Sequence, residues 1–182
     1  MLYRHEYMTT SSTSNVASDN TTGMADIWDG KVYKELTERY IHIDGKALST
    51  KYFSNPHDLA LGLTTDGFAP WRKRKYTAWP LLIINYNLPP DKRFHQKNII
   101  ALSVIPGPKK PKDIDSFLYP LIEELLKLLY GVQAFDANTG QYFCLRAFLI
   151  IAFGDIPAIS LLLKMKGHNG IAPCRVCNIK GI

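Results

Sequence analysis

From Leu59 to Gly67 the chain reads LALGLTTDG. Leu59, Leu61 and Leu63 alternate with Ala60 and Gly62, the period of a strand whose small-residue face accepts close packing. Thr64-Thr65-Asp66-Gly67 stops it with a turn. Two more runs follow in the same vein. Trp79 to Tyr86 (WPLLIINY) is almost continuously apolar and suits a central strand covered on both faces. Asn98 to Ile105 (NIIALSVI) is a third strand, closed by Pro106-Gly107-Pro108. Three strands in succession predict an antiparallel meander.

Beyond them the period becomes helical. Leu118, Leu121, Ile122, Leu125 and Leu129 fall on one face, Asp113 or Asp115 is placed to cap, and Gly131 supplies the stop. Pro120 marks either the start of this helix or a bend in it. Val132 to Phe135 is short and extended, Asn138-Thr139-Gly140 turns, and Tyr142 to Phe153 is a further apolar, β-rich run ending at Gly154-Asp155. A second helix follows, with Pro157 in its first turn and Gly167 past its end. A strand after a crossover helix can return parallel to the first. That topology sets the carboxyl ends of the first and last strands side by side, and with them Asp66 and Asp155. The expected fold class is α/β (α+β), a mixed sheet with flanking helices.

Three stretches are expected. Residues 1–25 are read as a disordered arm, on the strength of Thr9 to Thr22, which is rich in Thr, Ser and Asn and buries too little to offset its ordering entropy. Residues 26–58 form a lead-in: a helix over Asp26 to Tyr40, with Ile27, Val32, Leu36 and Tyr40 near helical spacing, then a hairpin from Ile41 to Phe53 turning at Gly45. Residues 59–182 form the main domain. There is no internal repeat.

Composition narrows the function. The 182 residues are 46% hydrophobic, an ordinary globular value. Lys plus Arg exceed Asp plus Glu by 22 to 16, a net charge of +6 that favours an anionic partner. No run reaches the roughly 18 apolar residues of a membrane span, and no apolar signal core opens the chain. Three cysteines, Cys144, Cys174 and Cys177, make no disulfide framework and fit a reducing, intracellular setting.

Two carboxylates at neighbouring strand ends suit a hard divalent cation, which takes oxygen ligands and keeps water and phosphate in its shell. The plain alternatives stand beside this. Asp-Gly is a common turn, also present at Asp29-Gly30 and Asp44-Gly45, and Asp155 is equally placed to cap the helix that Pro157 opens. Trp71-Arg72-Lys73-Arg74-Lys75-Tyr76, directly after Asp66, sets four cations between aromatics; Lys109, Lys110 and Lys112 form a second cluster. Such clusters meet DNA phosphates without reading sequence, or simply solvate a loop. Cys174 and Cys177 have zinc-knuckle spacing with His168 nearby, short of the four ligands of structural zinc. His5, His42, His57 and His95 show no ligand spacing.

Five segments in order carry a resemblance. They are Ala60 to Pro70 (ALGLTTDGFAP), Trp79 to Pro90 (WPLLIINYNLPP), Ile105 to Asp115 (IPGPKKPKDID), Leu145 to Phe148 leading into Gly154-Asp155-Ile156-Pro157-Ala158, and Lys166-Gly167-His168 ahead of Cys174-Arg175-Val176-Cys177. Together, over roughly Tyr52 to Cys177, the chain resembles CACTA-type (En/Spm-like) transposases, most closely fungal members. The resemblance implies a DDE/D enzyme with a ribonuclease H-like core. Asp66 would be the first acid and Asp155 the second, with Asp136 as the competitor for the second. Both would hold Mg²⁺ or Mn²⁺ for cleavage and transfer of DNA strands at transposon ends and target. Zn²⁺ at the cysteine pair, a nuclear site of action and homo-oligomerisation are compatible with it. The family's third acid lies beyond the cysteine pair, and no Asp or Glu follows Cys177 here. The resemblance therefore implies a catalytic domain incomplete at its C-terminus, inactive alone, or a non-catalytic DNA- or protein-binding derivative. Glu123 and Glu124, on the outer side of the first long helix, are not promoted to that role.

Overall fold

The computed structural model describes residues 3, 4, 6–9, 24–70, 76–107, 111–166, 170, 171 and 180. A 3₁₀ turn (Ile27–Asp29) leads into α1 (Lys31–Thr37), then β1 (Tyr40–Ile43), β2 (Lys46–Lys51), β3 (Leu59–Thr65) and β4 (Ala78–Asn85). A single helical turn, α2 (Pro90–Arg93), and a 3₁₀ turn (Gln96–Asn98) precede β5 (Ile99–Pro106) and the long α3 (Asp115–Tyr130). The chain continues through β6 (Val132–Asp136), β7 (Gln141–Leu145), β8 (Ala147–Phe153) and α4 (Ile156–Leu162).

The expected α+β class, with a mixed sheet and flanking helices, is what the chain adopts. A four-stranded sheet has the order β5-β4-β3-β8. β4 and β5 pair antiparallel, with a bulge between Leu81 and Leu82. The β3–β4 connection is also antiparallel. Phe68 bridges Ala78 at one end, and the Tyr86 N–H donates to the Ala60 carbonyl at 2.9 Å at the other. This is the expected meander. β8 lies on the other side of β3 and runs with it. The Leu59 N–H, at the first residue of β3, donates to the carbonyl of Arg146 just ahead of β8 (2.8 Å). At their far ends, the Thr65 carbonyl oxygen lies 3.1 Å from where a Cβ on Gly154 would sit.

Two compact units can be distinguished: Met1–Leu61 with Asn85–Asn98 and Leu125–Phe148, and Gly62–Ile84 with Ile99–Glu124 and Leu149–Ile182. In the first, aromatic edges interlock. Trp28, with no exposed surface, meets Tyr33 at 4.9 Å and 74°, and Phe53 meets Phe148 at 4.8 Å and 73°. Edge-to-face pairs contribute about 0.5–1.5 kcal/mol beyond area burial. In the second, Trp79, Leu81, Ile105, Ile114 and Leu161 form the core, with Leu118 and Leu162 against it.

The lead-in helix departs from expectation. It is two pieces, parted at Gly30 and ending at Thr37, and Tyr40 belongs to β1. Val32 and Tyr40 are 64% and 49% exposed, while Trp28 and Tyr33 turn inward. The reason is local. Asp26 and Asp29 cap the 3₁₀ turn reciprocally, and Gly30 is extended at φ −67°, ψ 144°. The helix therefore restarts there with its faces out of phase with the expected stripe. On α3, Leu118 packs inward as expected but Ile122 is half exposed. Pro120 sits inside the helix, and Gly131 at φ +104° ends it.

The run Tyr142 to Phe153 is two strands, divided at Arg146. β7 pairs with β6 in a separate two-stranded sheet, and only β8 enters the large one. The hairpin of β1 and β2 turns at Asp44 (φ 49°) and Gly45 (φ 76°), the double left-handed geometry of a type I′ turn. α4 ends five residues before Gly167. Lys164 stands at φ 52°, the Met165 N–H donates to Ser160 O, and the Lys164 N–H donates to Leu161 O. These two bonds form a Schellman stop with lysine where glycine is commoner.

Buried polar side chains help organise the first unit. Arg93 grips Asp26 with two hydrogen bonds of 2.8 Å. Asp58, fully buried, accepts from the Asn55 N–H at 3.0 Å, and its Oδ1 has no hydrogen-bond partner among the described residues. Burial pushes the Asp58 carboxyl above its ordinary 3.8, against the opposing pull of the Asn55 N–H, Arg4, Arg146 and His57. A carboxyl that holds its proton more tightly folded than unfolded stabilises the fold below its unfolded pKa, and that contribution is lost as pH rises through the folded value. Asp58→Asn, which mimics the protonated group, is expected to gain on the wild type as pH climbs above about 3.8 and to keep the gain at neutral pH. Urea midpoints at pH 3 and pH 7 measure it. An Asn variant less stable than wild type at pH 7 contradicts the assignment.

Candidate metal site at neighbouring strand ends

Asp66 follows β3 directly and is exposed, while Thr65 before it is 1% exposed. Gly67 after it lies flat on the Trp79 indole: a Cβ there would fall 2.5–2.8 Å from three ring atoms. The Phe68–Ala78 bridge then ties the departing chain to β4. Asp66 thus stands on a short stretch held by a buried threonine on one side and a tryptophan face on the other.

Asp155 follows β8 after Gly154 and is also exposed. It caps α4: its Oδ1 accepts from the Ala158 N–H at 2.7 Å. Pro157 occupies the first turn as expected. The capping role weighed against catalysis is therefore real. It uses one carboxylate oxygen and does not by itself exclude the other from a ligand role. The Thr65–Gly154 contact joins the residues immediately before the two acids, within the same compact unit. Two carboxylates so placed offer hard oxygen donors of the kind Mg²⁺ or Mn²⁺ takes, so the donor chemistry fits.

Asp136 has a different setting. It ends β6 at the tip of the β6–β7 hairpin, and its Oδ1 accepts from the Asn138 N–H at 2.9 Å. That bond, the largest of several, holds its carboxyl below the usual range. Glu123 and Glu124 lie exposed on α3. Asp113 receives the Asp115 N–H and the Ser116 hydroxyl at the start of α3, and Asp115 pairs with Lys164. The sequence signalled the Asp113 cap but carried no sign of the Asp115–Lys164 pair, which joins residues 49 apart.

Arg72, Lys73, Arg74, Lys75, Lys109, Lys110, His168, Cys174 and Cys177 lie outside the described residues. Among the described residues, no group of three or more His, Cys, Asp or Glu side chains is placed to hold a metal ion, and no helix is long and apolar enough to cross a membrane.

The strand order defines an α+β protein in which two exposed aspartates, Asp66 and Asp155, each stand just past the end of one of two adjacent strands. Residues 35–181 match the family model described as Transposase family tnp2, which spans four-fifths of the chain. The chain belongs to that transposase family. No curated protein and no solved structure matches it.

Proposed function

We propose that this chain is part of the catalytic domain of a CACTA-type DNA transposase with a ribonuclease H-like core, nearest to fungal members, with Asp66 and Asp155 as its first two acids. The carrying observation is the contact of Thr65 with Gly154 in a chain of the transposase family. Asp66, on a strand end braced by Trp79, presents an exposed carboxylate to a divalent ion. Asp155 presents a second, oriented by its bond to the Ala158 N–H. When bound, Mg²⁺ or Mn²⁺ supplies Lewis acidity for attack by water or a DNA 3′-hydroxyl on a phosphodiester. Arg72, Lys73, Arg74 and Lys75, directly after Asp66 in sequence, supply cations for the DNA backbone, as do Lys109 and Lys110. His168, Cys174 and Cys177 are the candidates for Zn²⁺. A nuclear site of action follows from the DNA substrate.

A second reading, a DNA-binding module that does not cut, draws on the lack of any three-acid group among the described residues. One assay separates the two: nicking of supercoiled DNA in Mg²⁺ by the protein from the longest natural reading frame containing this chain. Nicking that disappears in Asp66→Ala supports the first. DNA binding without nicking in Mg²⁺ or Mn²⁺ supports the second.

A further inference from the structure

The approach of the two strand ends is set by a residue with no side chain. A Cβ on Gly154 would fall 3.1 Å from the Thr65 carbonyl oxygen and 3.0 Å from the Ala158 Cβ, both closer than side chains ordinarily come. Thr65 is bonded to Asp66, and Ala158 supplies the N–H that orients Asp155. Neither neighbour can swing aside. The contact on Thr65 is backbone, its residue is 1% exposed, and Ala158 has no exposed surface. Gly154 is not in the left-handed region, so what it supplies is space rather than an unusual backbone conformation.

We propose that Gly154 is a positioning residue for the Asp66–Asp155 pair: its missing side chain lets Thr65 seat against the start of α4 and so fixes the separation of the two carboxylates. This rests on the two-aspartate reading above. An added methyl forces the Thr65 carbonyl or the first turn of α4 to give by a few tenths of an ångström. A site that must hold its geometry to within about 0.5 Å feels a shift of that size.

The test is a manganese(II) chloride titration of the 182-residue chain, with free Mn²⁺ read by electron paramagnetic resonance, alongside circular dichroism and urea midpoints. The proteins are wild type, Asp66→Asn, Gly154→Ala and Gly154→Ala/Ala158→Gly. The double variant relieves the Ala158 contact and leaves only that with Thr65. Wild type is expected to bind, Asp66→Asn to bind more weakly, and both Gly154 variants, folded, to lose about tenfold in Mn²⁺ affinity. A folded Gly154→Ala, or failing that a folded double variant, that binds Mn²⁺ like wild type overturns the positioning role while leaving the two-aspartate site intact. Loss of folding in both variants also overturns it, since the contact would then serve the fold and not the pair. Equal or absent Mn²⁺ binding in wild type and Asp66→Asn removes the site itself, and the positioning role falls with it.

Discussion

Replacing Arg93 with alanine is expected to destabilise the chain by about 3–5 kcal/mol, because it strands a buried carboxylate. The Arg93 and Asp26 side chains are 4% and 3% exposed and meet through two parallel bonds of 2.8 Å. Arg93 also donates to the Leu88 carbonyl through Nε (3.0 Å) and Nη2 (2.9 Å), and to the Tyr86 carbonyl at 3.2 Å. Its guanidinium lies 4.8 Å from the centre of the Tyr86 ring. On the other side, Asp26 accepts from the Ile27 N–H at 2.7 Å and the Tyr3 hydroxyl at 3.1 Å. Groups from three stretches of sequence thus converge on this one ion pair, and lysine cannot replace the guanidinium, having no planar bidentate geometry. Arg93→Lys should recover only part of the loss. The surface pairs make the contrast. Lys31–Glu35 and Lys51–Glu38 are largely exposed, and Lys31→Ala or Lys51→Ala should move stability by no more than about 0.5 kcal/mol. Urea midpoints measure all four variants. A loss under about 1 kcal/mol for Arg93→Ala would mean that water reaches Asp26 when its partner is gone.

That ion pair also shows where sequence reading stops. Asp26 and Arg93 are 67 residues apart, and neither a charge pattern nor a period links them. By contrast, β3, β4 and β5 were legible because each is a bounded run with local punctuation, and the return of β8 beside β3 follows from the handedness and brevity of connections. The neighbouring ends of β3 and β8, which carry the candidate site, were therefore derivable before any coordinates. The break at Arg146 was not. One charged residue in twelve is weak punctuation, and the pairing of β7 with β6 is decided by the turn at Gly140 (φ 67°). The lead-in helix was misphased because apolar spacing was counted through Gly30, where the helix in fact restarts. Gly154 reads in sequence as an ordinary turn glycine. Its close contact is with Thr65, nearly ninety positions away, and only the fold makes that visible.

Asp66→Asn is expected to reduce Mg²⁺-dependent nicking about 100- to 1000-fold, from several kcal/mol of lost charge stabilisation, and to leave the urea midpoint within about 0.5 kcal/mol of wild type. Asp66 is exposed, so its amide equivalent costs the fold little. Asp155 carries two jobs that separate cleanly. Its cap bond to the Ala158 N–H survives in Asp155→Asn, because asparagine caps as well as aspartate. Asp155→Ala loses the cap as well and should cost about 1 kcal/mol of stability. If Asp155 is also a metal ligand, both variants lose nicking to a similar degree while only the alanine variant loses stability. If it is a cap alone, Asp155→Asn nicks like wild type. The deciding companion is then Asp136→Asn. Asp136 sits in the β6–β7 hairpin turn and accepts from the Asn138 N–H, so its replacement is expected to spare nicking. Full nicking in Asp155→Asn with loss in Asp136→Asn would transfer the second acid to the hairpin and dissolve the pairing at the ends of β3 and β8.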